Sequence, residues 1–349
     1  MAYENPDAEN TKSDAPRAGG VRYVEAGDGD AGQRLDNFLV RVLKGVPRTH
    51  VYRLLRKGEV RVNSKRAKPD QRLEAGDRIR LPPLRLPEAP AGGPRPASAS
   101  LQKLITEAIV YEDGDLLVVN KPAGVAVHGG SGMSHGVIEA LRSARPDASE
   151  LELVHRLDRE TSGCLIVAKK RSALRDLHAQ LREGTTGKRY LALVCGKWNL
   201  GTKRIELALD TGERRSGERH VAVRAHGKMA VSTFKPVQFF SNVATLMEVL
   251  IDTGKTHQIR VHAAYAGHPV AGDDKYGDRE QNAALEAYGL HRMFLHAAAI
   301  EVRRPGSLEP LNVSAPLDAD LHRVLENLAK APKARPAAAR RRPRSAGGR

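Results

Sequence analysis

The sequence predicts an α+β protein, in which a small helix-helix-strand domain is linked to a larger domain of strands and helices. Three observations predict this class. Apolar residues near the N-terminus change from helical to alternating spacing, a proline-rich stretch follows, and many short strands with intervening helices fill the remainder. At 349 residues the chain is long enough for two domains, each with its own core.

The composition favours a polyanionic partner, because 57 Lys and Arg stand against 41 Asp and Glu, a net charge of +16. The two cysteines, Cys164 and Cys195, have neither the spacing of a zinc site nor that of a disulfide framework, which indicates a reducing compartment. No stretch approaches the roughly 18 apolar residues of a membrane span, and the N-terminus lacks a signal-peptide core. We expect a cytoplasmic protein without a membrane partner.

The first predicted domain covers residues 21–82, after a polar segment, residues 1–20, that we expect to be disordered. Apolar residues at helical spacing predict a helix over residues 34–44. A second helix is predicted to begin after Pro47 and to end at Gly58.

Strand patterns follow these helices: alternation over residues 59–63, a turn at Asn63-Ser64 and a last strand over residues 78–81. Nearly the whole module resembles the alpha-L RNA-binding domain first known from a small-subunit ribosomal protein. We therefore expect basic side chains of its polar face to contact RNA phosphates. These residues are Arg48, Arg53, Arg56, Lys57, Arg61 and Lys65.

Residues 83–100 contain most of a run of six prolines and are predicted to be a linker between domains. A catalytic domain is expected over residues 101–328. Residues 329–349 carry eight basic residues and no acid, which is typical of a disordered tail that adds non-specific RNA affinity.

The most informative stretch of the catalytic domain is residues 155–163, followed by the apolar run 164–168. It places Arg156, Asp158 and further charges beside a predicted buried strand, which costs free energy unless the charges pair with one another or with a ligand. An Asp before a Thr-Ser-Gly turn is often only a turn former or a helix cap. The surrounding charges favour a site, with Asp158 as its central residue.

Two later stretches also contain candidate site residues. Tyr190 lies near the start of a predicted strand over residues 188–194, a position where an aromatic residue is more often core than catalyst. Residues 250–262 include Gly254-Lys255-Thr256, which resembles the end of a phosphate-binding loop. That motif requires a glycine five residues before Gly254, and this position is occupied by Val249.

The same region argues against a metal or cofactor. The spacing of His257, His262 and His268 matches no common metal site, so we expect no metal. The sequence also contains no dinucleotide or ATP fingerprint, and we expect no cofactor.

Taken in order, the three stretches resemble the motifs of the RluA-like pseudouridine synthases. This resemblance implies a mixed, mainly antiparallel sheet with an active site in a cleft across it. It also implies isomerisation of uridine to pseudouridine in large-subunit (23S) ribosomal RNA or a pre-ribosomal particle, by a monomer that needs no cofactor.

The resemblance also assigns roles to residues. Asp158 is the indispensable nucleophile or base, Arg260 pairs with it, and Tyr190 is the active-site tyrosine. Arg156 fills the space left by a flipped-out uridine, and Ile259 packs on the target base. The remaining substrate-binding residues are His155, Lys255 and His257, of which Lys255 stands where the commoner motif has Arg.

Two other functions remain alternatives. A non-catalytic RNA-binding factor of ribosome assembly would not require Asp158, Tyr190 and Arg260 together. A hydrolytic nucleosidase or glycosidase would use Asp158 with Glu160, but two carboxylates on one turn are poorly placed to flank a scissile bond.

Overall fold

The computed structural model describes residues 20–43, 46–83, 96–129, 135–148, 150–215 and 218–331. The chain divides into two compact units, Met1–Arg95 and Pro96–Arg349. Most of the two predicted disordered ends, and residues 84–95 of the predicted linker, lie outside the described residues.

The described residues of the N-terminal unit form two helices and a small antiparallel sheet with the strand order β1-β4-β2-β3. Its elements are β1 (Arg22–Glu25), α1 (Leu35–Val42), α2 (Arg48–Lys57), β2 (Arg61–Val62), β3 (Lys65–Arg66) and β4 (Arg78–Leu81), with a 3₁₀ turn over Asp28–Asp30. The two predicted helices and the last strand are confirmed, whereas β1 was not predicted. Apolar residues of both helices and the sheet, including Phe38, Leu55 and Ile79, form the core of this unit.

Two backbone features explain how α2 leads into the sheet. Gly58 takes a left-handed conformation (φ 72°) that ends the helix, which glycine does without steric cost. Asn63 and Ser64 both have positive φ (47° and 66°), as a tight two-residue hairpin turn requires. The turn predicted at this position is therefore present between β2 and β3.

The C-terminal unit holds the larger sheet. Its elements are α3 (Ala99–Glu107), β5 (Ile109–Glu112), β6 (Leu116–Lys121), α4 (Val137–Ala144), β7 (Glu152–Leu153), β8 (Ser162–Ala168), α5 (Arg171–Glu183), β9 (Gly187–Cys195), β10 (Lys203–Arg215), β11 (Glu218–Val223), β12 (Lys228–Phe240), β13 (Ala244–Ile251), α6 (Gln258–Tyr265), α7 (Arg279–Glu286), β14 (Leu295–Arg303), β15 (Pro310–Ser314) and α8 (Ala319–Lys330).

Eleven described strands form one mixed sheet with the order β11-β10-β12-β13-β9-β14-β8-β6-β5, to which β15 and β7 are added at β14 and β8. Every neighbouring pair is antiparallel except β14 and β8, which run parallel at His296 and Ser162. The predicted α+β class with a mixed, mainly antiparallel sheet is confirmed. No helix in the described ranges is both long enough and apolar enough to cross a membrane.

Strand β8 is buried along its whole length because helices cover both of its faces. Leu165 and Val167 pack in the cluster that includes α4, while Cys164 and Ile166 pack in the cluster that includes α5. This two-sided cover explains the continuous apolar run that follows the Asp158 turn. In the sheet order, β9 and β13 are the second and third strands from β8, and the other two candidate stretches lie on or directly after them.

Candidate active site

A cleft of about 650 Å³ opens in the C-terminal unit where the three candidate stretches meet. Its lining comes from the turn before β8, from the end of α5 with the start of β9, and from the segment between β13 and α6. The predicted residues in its lining are His155, Arg156, Asp158, Tyr190, Lys255, His257, Ile259 and Arg260. Glu160 does not belong to this lining.

Asp158 faces two side chains at the start of α6. Its Oδ2 lies 3.4 Å from Nη1 of Arg260 and 3.8 Å from Nε2 of His257. The Asp158 side chain is 19% exposed, against 11% for Arg260 and 12% for His257. The site therefore holds a partly accessible carboxylate against a cation and an imidazole ring at the wall of the cleft.

Arg260 is held from its other side by Asp273, a residue in the loop before α7. Its Nε and Nη2 donate to the two carboxylate oxygens of Asp273 over 2.7 and 2.8 Å. Burial opposes the charge of Arg260, but the hydrogen bonds and charge of Asp273, and then Asp158, raise the pKa of the guanidinium. Burial likewise opposes ionisation of Asp273, yet Arg260 lowers the pKa of that carboxyl below its usual range. Both groups are therefore charged at neutral pH.

His257 is neutral at neutral pH because burial lowers its pKa to about 4, although the nearby Asp158 opposes this shift. The residue has a left-handed backbone (φ 53°) immediately before α6. A non-glycine residue in this region costs free energy and is found most often where the surroundings fix it for function. Here Nδ1 of the ring lies 2.8 Å from the hydroxyl of Tyr276.

Gln258, which the sequence did not identify as a site residue, holds the segment before α6 in place. Its Oε1 accepts hydrogen bonds from the Thr253 hydroxyl and the Lys255 backbone over 2.7 and 3.0 Å. Its Nε2 donates to the Val231 carbonyl and the Ser232 hydroxyl over 2.9 and 2.8 Å. The buried amide thereby ties the wall of the cleft to β12.

Lys121, a fully buried residue at the end of β6, holds the turn that carries Asp158 in place. Its ammonium group donates to the carbonyl oxygens of Pro122, Val125 and Arg159 over 2.8, 2.8 and 3.0 Å. Burial lowers the pKa of Lys121 to about 7, while Glu160 and Asp158 act in the opposite direction. The lysine connects the chain after β6 to the carbonyl next to Asp158.

Gly163 explains why the Thr-Ser-Gly sequence follows this turn. Its φ is 107°, and an added Cβ would lie 2.3 Å from the carbonyl oxygen of Ala297 in β14. Only glycine permits this approach of β8 to β14. The small residue is therefore required for strand pairing beside the site.

Other predicted residues differ in how free they are to meet a substrate. Tyr190 lines the cleft, and burial together with the charge of Asp158 raises the pKa of its hydroxyl, which stays protonated at neutral pH. His155 already accepts a hydrogen bond from the Ile166 amide over 3.1 Å, and burial lowers its pKa to about 4. Ile259 lines the cleft but belongs mainly to the core, since it is 5% exposed. Arg156 also lines the cleft, and its side chain is exposed at the rim of the cleft.

Lys188, which the sequence did not single out, lies two residues before Tyr190 on β9 and also lines the cleft. The same face of the strand therefore carries a cation and an aromatic ring. Burial lowers the pKa of Lys188, while Asp252 opposes that shift.

The three histidines considered as metal ligands do not form a cluster. Nδ1 of His268 binds the carbonyl of Cys195 over 2.9 Å, and His262 is fully buried on α6. Within the described part of the chain, no group of three or more His, Cys, Asp or Glu side chains is placed to hold a metal ion.

In the N-terminal unit, the basic side chains predicted to contact RNA are exposed on α2 and on the β2-β3 hairpin. They are Arg53, Arg56, Lys57, Arg61 and Lys65. The backbone of Arg48 begins α2, but its side chain lies outside what the structure describes.

Comparison with known proteins identifies the class that this fold and site define. Residues 115–265 match the RNA pseudouridylate synthase family, and residues 33–79 match the S4 domain. Two solved structures have a similar fold: human RNA pseudouridylate synthase domain containing 4 (TM-score 0.56, 24% identity, 66% of this chain and 96% of that one) and domain containing 1 (TM-score 0.50, 26% identity, 64% and 95%).

Curated relatives match this sequence over nearly the whole chain. It is 52% identical over 315 residues to the ribosomal large subunit pseudouridine synthase C of Escherichia coli strain K12, covering 89% of this chain and 98% of that protein. It is 51% identical over 307 residues to the protein of the same name from Pasteurella multocida, covering 87% and 93%. The chain belongs to the RNA pseudouridine synthase family, whose members are isomerases, and it carries an N-terminal S4 domain. The predicted family, enzyme class and RNA-binding domain are confirmed.

Proposed function

We propose that this protein isomerises uridine to pseudouridine in large-subunit (23S) ribosomal RNA, free or within a pre-ribosomal particle. The observation that carries the proposal is the carboxylate of Asp158, held 3.4 Å from Arg260 at the wall of a cleft of about 650 Å³. A cleft of this volume lies in the range of sites that enclose a small ligand. The relatives named for the ribosomal large subunit support the choice of RNA.

The reaction breaks the N-glycosidic bond of a uridine, turns the detached uracil and rejoins it through C5. Product and substrate contain the same atoms, so the isomerisation requires neither a redox partner nor a group donor. Asp158 acts either by attacking the target nucleotide or as a base at the ribose, and both roles require an ionised carboxylate. Arg260 places a positive charge 3.4 Å from that carboxylate.

The target uridine must leave the RNA stack before it can reach Asp158, at a cost of a few kcal/mol. Arg156, exposed at the rim, is the residue that would occupy the vacated position. The Tyr190 ring would stack on the extruded base. Its hydroxyl is protonated at neutral pH, so it would take part in removing the C5 proton by passing on its own proton as it accepts that one. Ile259 adds an apolar contact from the cleft wall, while Lys255 and His257 complete the substrate-binding set.

RNA outside the cleft would be held by the S4 domain. Arg53, Arg56 and Lys57 are exposed on α2, and Arg61 and Lys65 are exposed on the neighbouring hairpin. Contacts of these cations with phosphates carry affinity without sequence information. We propose that the domain anchors the RNA while the catalytic cleft selects the uridine, in a monomer that acts in the cytoplasm without a cofactor.

Pseudouridine mapping by carbodiimide-dependent reverse-transcription stops tests the proposal. The 23S rRNA would come from cells that lack the gene and from the same cells complemented with wild-type protein, Asp158→Asn or Glu160→Gln. We expect one or more stops to depend on the wild-type gene, to be absent with Asp158→Asn and to persist with Glu160→Gln, because Glu160 lies outside the cleft lining.

Other results would overturn the proposal. Stops that are the same in every strain would favour the binding-factor alternative or another RNA. Release of free uracil by the purified protein would indicate a hydrolytic enzyme.

A further inference from the structure

The loop between α6 and α7 meets the active site at two points, through Asp273 and Tyr276. Its backbone is closely confined: the carbonyl of Asp273 accepts hydrogen bonds from the Gly277 amide and the Asn282 side chain over 2.9 and 3.2 Å. A Cβ at Gly272 would lie 2.3 Å from the carbonyl oxygen of Arg292, and one at Gly277 would lie 2.1 Å from that of Asp273. The loop is therefore a rigid support beside the cleft.

Asp273, held by this rigid loop, fixes the plane of the Arg260 guanidinium. The Asp273 carboxylate is fully buried and receives Nε and Nη2 of Arg260 as a bidentate pair. Its Oδ1 also accepts from the backbone amides of Lys275 and Tyr276 over 2.9 and 3.1 Å, so the carboxylate itself cannot turn freely. The remaining nitrogen of Arg260, Nη1, is the one that faces Asp158.

Tyr276 contacts the second group that faces Asp158, the His257 ring. Its hydroxyl oxygen accepts a hydrogen bond from the Val221 amide over 2.9 Å, and its own proton can be donated to Nδ1 of His257, which lies 2.8 Å away. A neutral imidazole whose Nδ1 accepts carries its proton on Nε2. That nitrogen lies 3.8 Å from Oδ2 of Asp158, so the ring presents an N–H group toward the carboxylate.

We infer that Asp273 and Tyr276 are positioning residues of the isomerisation: Asp273 orients Arg260, and Tyr276 sets the tautomer of His257, so that one N–H of each faces Asp158. This inference rests on the role proposed above for Asp158. A carboxylate that must react needs donors held in fixed directions, because a displacement of about 1 Å at a catalytic group costs on the order of 100-fold in rate. Neither Asp273 nor Tyr276 lines the cleft, so both residues would act through Arg260 and His257.

The first test is Asp273→Asn in the full-length protein, assayed on a 23S rRNA fragment that contains the mapped uridine. Asparagine keeps an oxygen for the backbone amides of Lys275 and Tyr276 but places an amide group where Oδ2 received Nε of Arg260. We expect the single-turnover rate to fall by about 10- to 100-fold, with little change in the dissociation constant of the RNA.

Asp278→Asn is the matched control. Asp278 caps α7 by accepting from the Gln281 amide over 2.9 Å, it is exposed, and asparagine caps helices equally well. This variant should turn over at the wild-type rate.

A double-mutant cycle separates positioning from general support. Lysine cannot form the bidentate bond of Arg260, so Asp273→Asn should slow an Arg260→Lys enzyme much less than it slows the wild type. Equal slowing in both backgrounds, or a wild-type rate for Asp273→Asn, would overturn the inference for Asp273. An inactive wild type would instead contradict the proposed function.

Tyr276→Phe tests the contact between the Tyr276 hydroxyl and His257, and it remains informative if Asp273→Asn does not fold. Nitrogen-15 NMR should show a single Nε2–H tautomer for His257 in the wild type and a mixture in Tyr276→Phe, together with a lower turnover rate at unchanged RNA affinity. A mixed tautomer in the wild type, or full turnover in Tyr276→Phe, would overturn this part of the inference.

Discussion

The guanidinium of Arg260 binds two carboxylates with unequal geometry. It forms a bidentate pair with Asp273 at 2.7 and 2.8 Å and one longer contact with Asp158 at 3.4 Å. The fully buried carboxylate of Asp273 therefore receives two of the three hydrogen bonds from Arg260, and the partly exposed carboxylate of Asp158 is less constrained. Asp158 is thus paired with Arg260 through one longer contact and not through a bidentate salt bridge. A carboxylate that must react with a substrate requires this freedom.

This arrangement predicts that Arg260 matters for folding as well as for turnover. In Arg260→Leu the buried charge of Asp273 loses its partner, and we expect the free energy of unfolding to fall by about 3–5 kcal/mol. Urea unfolding followed by circular dichroism would measure this loss. Adding Asp273→Asn to the same chain removes the unpaired charge and should restore part of the stability, while turnover stays absent. A single variant as stable as the wild type would contradict the prediction.

Tyr190 should contribute a ring and a hydroxyl that can be separated by mutation. Tyr190→Phe keeps the ring, so RNA affinity should hold while turnover falls by about 100-fold or more, the usual cost of losing a proton-transfer group. Tyr190→Leu should also weaken capture of the extruded base, by about 1–3 kcal/mol of stacking. Turnover of a uridine-containing fragment and fluorescence of 2-aminopurine beside the target uridine would report the two effects. Unchanged turnover in Tyr190→Phe would exclude the hydroxyl.

The exposed cations of α2 should determine much of the salt dependence of RNA binding. Replacing Arg53, Arg56 and Lys57 with glutamine should weaken affinity and reduce the slope of log K against log salt by about 0.7–0.9 for each phosphate that is no longer neutralised. Lys103→Gln is the control, since Lys103 is an exposed cation on α3 that pairs with Glu107. Filter binding between about 50 and 200 mM salt would give the slopes. Equal slopes for both variants would mean that α2 does not bind the RNA backbone.

Much of the fold could be predicted because its signals are local. The helix that ends at Gly58, the turn at Asn63-Ser64 and the strand over residues 78–81 each follow from spacing and turn chemistry within a few residues. Strand β1 was missed because it is short and mostly exposed, and it pairs with β4, which lies more than 50 residues later in the chain. Pairing at that distance leaves no local pattern.

The site shows the same limit. That Asp158, Tyr190 and Arg260 line one cleft could be predicted, because each lies in a distinctive stretch and the resemblance linked the three. Asp273 and Gln258 could not, since a buried polar residue is recognised only by the partners that surround it. Nothing in the sequence distinguishes Asp273, which is fully buried, from Asp274, which is exposed. The prediction that Ile259 packs on the base remains untested.

The last prediction concerns Glu112, at the end of β5, which binds two cations: Arg145, just after α4, and Lys169, just after β8. Arg145 donates to both of its carboxylate oxygens over 2.6 and 2.8 Å, and Lys169 donates to one over 2.8 Å. The hydrogen bonds from Arg145, opposed by partial burial and reinforced by Lys169, lower the pKa of Glu112 from 4.5 to about 2.

A carboxyl with a lowered pKa in the folded state stabilises the protein fully above pH 4.5, and this contribution is lost as the pH falls toward 2. Glu112→Gln should therefore reduce the free energy of unfolding at pH 7 by about 1 kcal/mol, a figure reduced for solvent screening of a partly exposed group. The difference from wild type should shrink steadily between about pH 5 and pH 3 in urea unfolding. Glu107→Gln, which removes only an exposed pair with Lys103 at 3.8 Å, should show little difference at either pH. A difference for Glu112→Gln that is as large at pH 3 as at pH 7 would show that packing, and not charge, explains its effect.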